Sequence, residues 1–105
     1  MTFVFSDIFD RNIRLTHERL RHLEETHPEM EGQLENIGIV LKSPEIIIAS
    51  ISDENVELFY RFYTETIVGD KWLCIVVKNL ENDFFVITAY FTNKIKKGNV
   101  LWKRP

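Results

Sequence analysis

The chain contains little cysteine, glycine or proline: one Cys, four Gly and three Pro among 105 residues. A single cysteine, Cys74, excludes an internal disulfide and a cysteine-based zinc site. The longest apolar runs, Ile46–Ser52 and Trp72–Val77, are far shorter than the ~20 residues that span a bilayer. Because Asp7 and Asp10 also interrupt any leader-like start, we predict a cytoplasmic protein without membrane contact.

Several familiar sequence motifs are also missing. The chain has no GxGxxG, no P-loop and no GxSxG, so nucleotide-cofactor and serine-hydrolase chemistry are not indicated and no cofactor is expected. Cys74 lies within a hydrophobic stretch, where a thiol is usually inert.

What is present indicates one globular domain over residues 1–105. Hydrophobic residues make up 45% of the chain and charged residues 28%, and thirteen aromatic side chains can build a core. The charge is uneven, because residues 94–105 carry five bases and no acid (+5), whereas residues 1–93 carry eight bases and sixteen acids (−8). This basic end has two interpretations, a site for a polyanion or a solvated lysine-rich tail, and taken alone it favours the tail.

Helical patterns occupy the first part of the chain, after a short strand over Asn12–Leu15. Thr16 can cap a helix over about His17–Thr26, which ends where Pro28 restricts His27. A second helix is predicted over Pro28–Lys42, because apolar residues recur there at spacings of three and four.

From residue 45 onward the apolar pattern alternates instead. It predicts four strands and a short edge strand: Ile46–Ile51, Val56–Thr64, Lys71–Lys78, Phe84–Thr92 and Val100–Trp102. The fold class is therefore α+β, with two N-terminal helices packed on one face of a four-stranded antiparallel sheet, a two-layer domain.

Alternation along the strands sorts side chains between the two faces of this sheet. The odd positions of the fourth strand, from Phe85 to Phe91, are all apolar, so we expect them to pack under the helices. The opposite, helix-free face then collects six polar side chains: Arg61, Tyr63, Lys78, Thr88, Tyr90 and Thr92. Such a face suits a phosphate-bearing ligand, but it is equally typical of the solvated side of an antiparallel sheet.

Three histidines, His17, His22 and His27, follow one another at five-residue intervals. On a helix this spacing places successive histidines about 140° apart, so they cannot share a face, and no metal site is expected. We expect His27 to point inward at the helix end. His22 lies to the side, either as an ordinary surface residue or as a proton shuttle of the kind that imidazoles provide near neutral pH.

A resemblance extends over most of the chain, roughly residues 12–102. Leu15–Glu29, which reads LTHERLRHLEETHPE, is similar to the pattern LT-x-E-R-x-x-H-I…HPE of small phage and bacterial proteins. Five later segments match in the same order: Lys42–Glu45, Leu58–Arg61, Leu73–Lys78, Phe85–Tyr90 and Lys97–Trp102. The chain thus resembles the phage-type barnase–EndoU–colicin–RelE-like (BECR-fold) nuclease family, whose fold of two helices before a four-stranded antiparallel sheet is the one expected above.

The resemblance implies a metal-independent endoribonuclease, toxin-like or prophage-derived, in which the ribose 2′-OH attacks the adjacent phosphate. It implies His22 as the acid/base, Arg61 and Lys78 as phosphate clamps, and Thr88 and Tyr90 as phosphate-orienting groups or a second acid. The residues expected to act in catalysis are His22, Lys78, Thr88 and Tyr90. Those expected to bind substrate are His27, Arg61, Tyr63, Thr92, Lys94 and Lys96.

Two alternatives from other classes remain open at this point. One is a non-catalytic RNA- or protein-binding module on the same scaffold. The other is a homodimeric structural protein that pairs through the apolar residues Phe59, Trp72, Val76 and Phe84. The expected partners are accordingly RNA, a cognate antitoxin or inhibitor protein, or a second copy of the chain.

Overall fold

The computed structural model describes residues 1–105, half of them in strands and about a fifth in helices. In chain order the elements are β1 Thr2–Ser6, β2 Asn12–Thr16, α1 His17–Thr26, a 3₁₀ turn Pro28–Met30, α2 Leu34–Lys42, β3 Ile46–Ala49, β4 Val56–Thr66, β5 Gly69–Leu80, β6 Asp83–Thr92 and β7 Asn99–Lys103.

The strands form one seven-stranded mixed sheet in the order β1-β2-β6-β5-β4-β3-β7. The predicted architecture, two helices on a four-stranded antiparallel sheet, is therefore wrong. The antiparallel strands β3–β6 occupy the middle of the sheet. The β1–β2 hairpin extends one side and pairs in parallel with β6 through Ile13 and Arg14, and β7 extends the other side by pairing with β3.

The helical part differs from the prediction in its second helix. The first helix is confirmed: Thr16 Oγ1 accepts the Arg19 backbone N–H at 3.0 Å, and α1 ends before His27. The predicted helix over Pro28–Lys42 is divided instead into the 3₁₀ turn and α2. Gly32 separates them, because its φ of +79° lies in the left-handed region, where a right-handed helix cannot continue.

The main core lies between the helices and one face of the sheet. The helices contribute Leu20, Leu23, Met30, Ile37, Val40 and Leu41, and the strands contribute Ile13, Leu15, Ile47, Phe59, Leu73, Ile75, Val77, Val86 and Ala89. Phe59 is fully buried here and Phe84 packs against this core, so the outward-facing dimer interface expected from Phe59, Trp72, Val76 and Phe84 does not exist as one surface.

The assignment of β6 side chains to faces was wrong over part of the strand because of a β-bulge. Val76 pairs with Thr88 while Val77 pairs with Val86, so Ile87 is an extra residue that shifts the alternation. Val86 and Ala89 consequently both face the helices, although their numbers differ in parity. Thr88, Tyr90 and Thr92 remain on the helix-free face, as predicted.

A second, smaller cluster covers the helix-free face: Ile48, Leu58, Tyr60 and Cys74, with Ile95 packed against them. Ile95 belongs to residues 93–98, here called the strap, which connect β6 to β7 across β5, β4 and β3. Because these strands are about 4.8 Å apart, the strap spans roughly 19 Å, and six residues reach that far only when nearly extended.

Three charged side chains form a network under the helix layer. Arg11 Nε donates to Asp7 Oδ2 at 2.8 Å, and its two Nη groups donate to the Glu57 carboxylate at 2.6 and 3.2 Å. The Asp7 side chain is completely buried, and its Oδ1 also accepts the backbone N–H of Phe9 and of Arg11. These bonds tie the β1–β2 loop to the centre of the sheet through Glu57.

We predict that Arg11→Met lowers the free energy of unfolding by about 3 kcal/mol, because it leaves two carboxylates with little solvent and no cation. Lys42→Ala is the control, since the Lys42–Asp10 pair is exposed (55% and 86%) and such pairs contribute less than about 1 kcal/mol. Urea denaturation at neutral pH measures both. Equal losses in the two variants would contradict the stabilising role of the network.

Candidate functional site

The open edge of β6 brings one histidine to the helix-free face. β2 pairs with β6 only at Phe84 and Phe85, so the rest of that edge faces the end of α1 and the 3₁₀ turn. There the His27 and Tyr90 rings lie 5.6 Å apart between centroids, tilted by 36°. The Glu29 carboxylate lies 3.6 Å from His27 Nδ1, which is beyond hydrogen-bond distance.

The strap adds a cation to this pair. The Lys96 ammonium lies 5.9 Å from the centroid of the Tyr90 ring, and the Lys96 backbone N–H donates to Tyr60 Oη at 3.1 Å. The His27 imidazole and the Lys96 ammonium are therefore both neighbours of the Tyr90 ring, and we call the four residues His27, Glu29, Tyr90 and Lys96 the His27 site.

The floor of the His27 site is neutral. The Cys74 thiol interacts with the hydroxyls of Tyr60 and Tyr90, and burial raises the pKa of both phenols above their usual range. Burial also raises the pKa of Cys74 to about 11. At neutral pH the two hydroxyls therefore remain protonated donors, and the thiol is not a nucleophile.

Four further residues from the predicted set lie on the helix-free side of the sheet. Three of them are near the His27 site, and Lys78 is farther away. Thr88 and Thr92 flank Tyr90 on β6, and Thr92 Oγ1 bonds the backbone of Lys94 at the start of the strap. Lys78 is on this face but pairs with Phe85, four residues along β5 from Cys74, which is about 13 Å. Its ammonium is held by Asp53, whose pKa this hydrogen bond lowers.

Arg61 and Tyr63 lie on the helix side of the sheet, so their expected place beside Tyr90 is wrong. Arg61 pairs with the core residue Leu73, and its Nη1 donates to the Ser43 carbonyl at 2.7 Å, at the C-terminal end of α2. The Tyr63 hydroxyl is buried and has no hydrogen-bond partner. Alternation alone did not separate the two faces of β4, because both sets of side chains contain aromatic residues.

His22 lies apart from the residues it was expected to act with. It is exposed on α1, beside Arg19, Arg21 and Glu25, and no contact joins it to Tyr90 or Lys78. His22 and His27 are five residues apart, which separates them by about 140° around the helix axis. When the His27 imidazole contacts the sheet, the His22 imidazole therefore points away from it.

Sequence reasoning did not select Glu29, Tyr60 or Cys74 as parts of the site. Glu29 stands two residues after His27 in the His-Pro-Glu motif, so its place was available from the sequence. Tyr60 and Cys74 became neighbours of Tyr90 only through the register of β4, β5 and β6, which no local pattern specifies.

Comparison with protein-family models, with curated proteins and with solved structures finds no match to this chain. The resemblance to the nuclease family therefore stays a prediction. No three His, Cys, Asp or Glu side chains lie together in a way that could hold a metal ion. No helix has the length and apolar character needed to cross a membrane.

We predict that iodoacetamide labels Cys74 slowly in the folded protein at pH 8 and rapidly in urea, with the native rate rising only toward pH 11. The raised pKa keeps the folded thiol neutral while an unfolded thiol ionises near pH 9, so the stability it contributes is present below pH 9 and lost as the pH rises through about 11. Mass spectrometry follows this labelling, and Cys74→Ala must abolish it. Rapid labelling of the native protein at pH 8 would contradict the buried, neutral floor.

Proposed function

We propose that the protein is a metal-independent endoribonuclease whose reaction centre is the His27 site. The observation that carries this proposal is that the His27 ring and the Lys96 ammonium lie 5.6 and 5.9 Å from the centroid of one phenol ring, that of Tyr90. These are the three kinds of group that transfer of a phosphoryl group between ribose oxygens requires: a base, an acid and a cation for the charge on phosphorus.

The proposed reaction uses only groups on this chain. His27 takes the proton of the 2′-OH as O2′ bonds to phosphorus and the bond to O5′ breaks, leaving a cyclic phosphate and a free 5′-OH. Tyr90 gives the leaving O5′ its proton, which a phenol can do even with a raised pKa because an alkoxide is the stronger base. The imidazolium, which lies beside Tyr90, then returns a proton to the phenolate.

Charge around the site supports a polyanionic substrate. Five cations near the C-terminal end, Lys94, Lys96, Lys97, Lys103 and Arg104, form no ion pair with any carboxylate. Their charge is therefore available to attract phosphates, and such attraction weakens as salt rises. A cytoplasmic location, where RNA is present, and an inhibitor protein that masks this surface are further parts of the proposal.

The same cations favour a second function, RNA binding without cleavage. His22 and Lys78, two of the residues first expected in catalysis, lie outside the His27 site. A module that only binds RNA needs the free cations but neither the imidazole nor the phenol, so the two functions respond differently to substitution of His27.

We predict that the protein cleaves a fluorescent oligoribonucleotide in the presence of EDTA and that His27→Ala lowers the rate about 10²- to 10⁴-fold, the usual contribution of a general acid or base. His17→Ala is the matched control, because His17 lies at the other end of α1 against Phe3. Lys96→Ala is expected to slow cleavage as well, whereas Lys42→Ala is not.

Circular dichroism of each variant shows whether the fold persists. Cleavage that survives His27→Ala, or that is absent from the wild type, would overturn the catalytic function. Oligonucleotide binding that persists in His27→Ala and weakens in Lys96→Ala, with no cleavage by any form, would establish the binding module instead.

A further inference from the structure

A second cleft opens on the helix-free face, where the first residue of β3 pairs with the last residue of β7. Its volume is about 370 Å³, and its walls include Ile46, Trp72, Ile95, Lys103 and Arg104. Pockets for small organic ligands usually start at about 300 Å³. The cleft is therefore large enough for one planar ring system, and we call it the Trp72 cleft.

Two aromatic neighbours fix the orientation of the Trp72 ring, and neither stacks parallel to it. Phe62 and Tyr60 contact it at interplanar angles of 70° and 89°, with centroid distances of 5.2 and 6.4 Å. These are edge-to-face arrangements, which fix the orientation of the indole. Trp72 is only partly buried, and two aliphatic side chains, Ile46 and Ile95, line the cleft with it.

The Trp72 cleft is adjacent to the His27 site on the helix-free face. Cys74 pairs with Tyr90 across β5 and β6, and Trp72 is the next residue of β5 on the same face. Such diagonal neighbours are about 7–8 Å apart. A nucleotide whose phosphate contacts Tyr90 and Lys96 therefore has Trp72 within reach of an adjoining base.

The rim of the cleft is positive. Lys103 forms no ion pair, and Arg104 Nη2 donates to the backbone carbonyls of Ser43 and Pro44, so its charge is held in place without being neutralised. The Glu45 side chain also lines the wall, where its Oε2 accepts the Phe62 backbone N–H, so the two cationic side chains outnumber this carboxylate side chain. An aromatic floor beneath a cationic rim is the combination that single-stranded nucleic acids favour.

We propose that the Trp72 cleft is a subsite for one nucleobase of a single-stranded RNA, stacked on Trp72, next to the phosphate held at the His27 site. The choice of RNA as the ligand of this subsite rests on the proposed function. The subsite adds to that function a group, Trp72, that positions the RNA strand along the sheet. Because every base has a flat face, stacking alone gives affinity with little sequence preference.

Trp72 fluorescence tests this subsite without any cleavage. In a Trp102→Phe background Trp72 is the one tryptophan, and the probe is a 2′-O-methyl trinucleotide, which lacks the attacking hydroxyl. We expect the probe to quench the fluorescence, and an abasic version of the same length and charge to bind about five- to hundredfold more weakly.

Substitutions separate stacking from folding. Fluorescence anisotropy of a labelled probe measures the affinity of each variant. We expect Trp72→Leu to bind the base-bearing probe about five- to hundredfold more weakly than the wild type does, whereas Trp72→Phe retains most of the affinity. Phe9→Leu is the matched control: it removes an exposed aromatic ring in the β1–β2 loop, outside the cleft, and it is expected to bind as the wild type does.

The outcomes for the two proposals are separable. Quenching by the base-bearing probe in a protein that cleaves no RNA would support the subsite while the catalytic function fails. His27-dependent cleavage with equal binding of the intact and abasic probes would overturn the subsite and leave catalysis in place. Absence of quenching together with unchanged binding by Trp72→Leu would overturn it as well.

Discussion

The arrangement of the helix-free face depends on one close approach, that of Gly98 to the β3 backbone. A Cβ on residue 98 would lie 2.2 Å from the Ala49 carbonyl oxygen and 2.6 Å from Ile48 Cγ2, so no side chain fits there. This contact lets a strap of six residues descend onto the sheet and begin β7 beside β3. A bulkier residue would lift the strap from the face, because a backbone carbonyl cannot move aside as the end of a side chain can.

The packing of the strap against the sheet determines several contacts on the helix-free face. The strap packs Ile95 on the second cluster, sets the Lys96 N–H on the Tyr60 hydroxyl, and brings the Lys96 ammonium over Tyr90. The basic C-terminal stretch is therefore structured: the strap covers the sheet and β7 completes it. Interpretation of this stretch as a solvated tail is wrong for its backbone, although its charged ends do reach solvent.

Sequence patterns were informative where a local rule decides the outcome. The Thr16 cap and the break before Pro28 predicted α1, and alternation located the central strands. They were misleading where the outcome depends on partners distant in the chain. β1 forms because β2 and the helix layer accept its alternating Phe side chains, and one extra residue, Ile87, reverses the faces of half a strand. Arg61 could be placed only once its partner, the Ser43 carbonyl, was known.

The histidines show the same limit within the candidate site. Spacing predicted that His22 and His27 diverge on α1 and that His27 points inward, but not that His27 meets Tyr90 of β6. This contact depends on where the helix stops: its last backbone bond, from His27 N–H to the Leu23 carbonyl, leaves His27 at the level of Tyr90. Glu29 follows within the 3₁₀ turn and lies against the same imidazole. The break imposed by Pro28 thus presents His27 to β6, and a continuous helix would have carried Glu29 about 160° around its axis from His27.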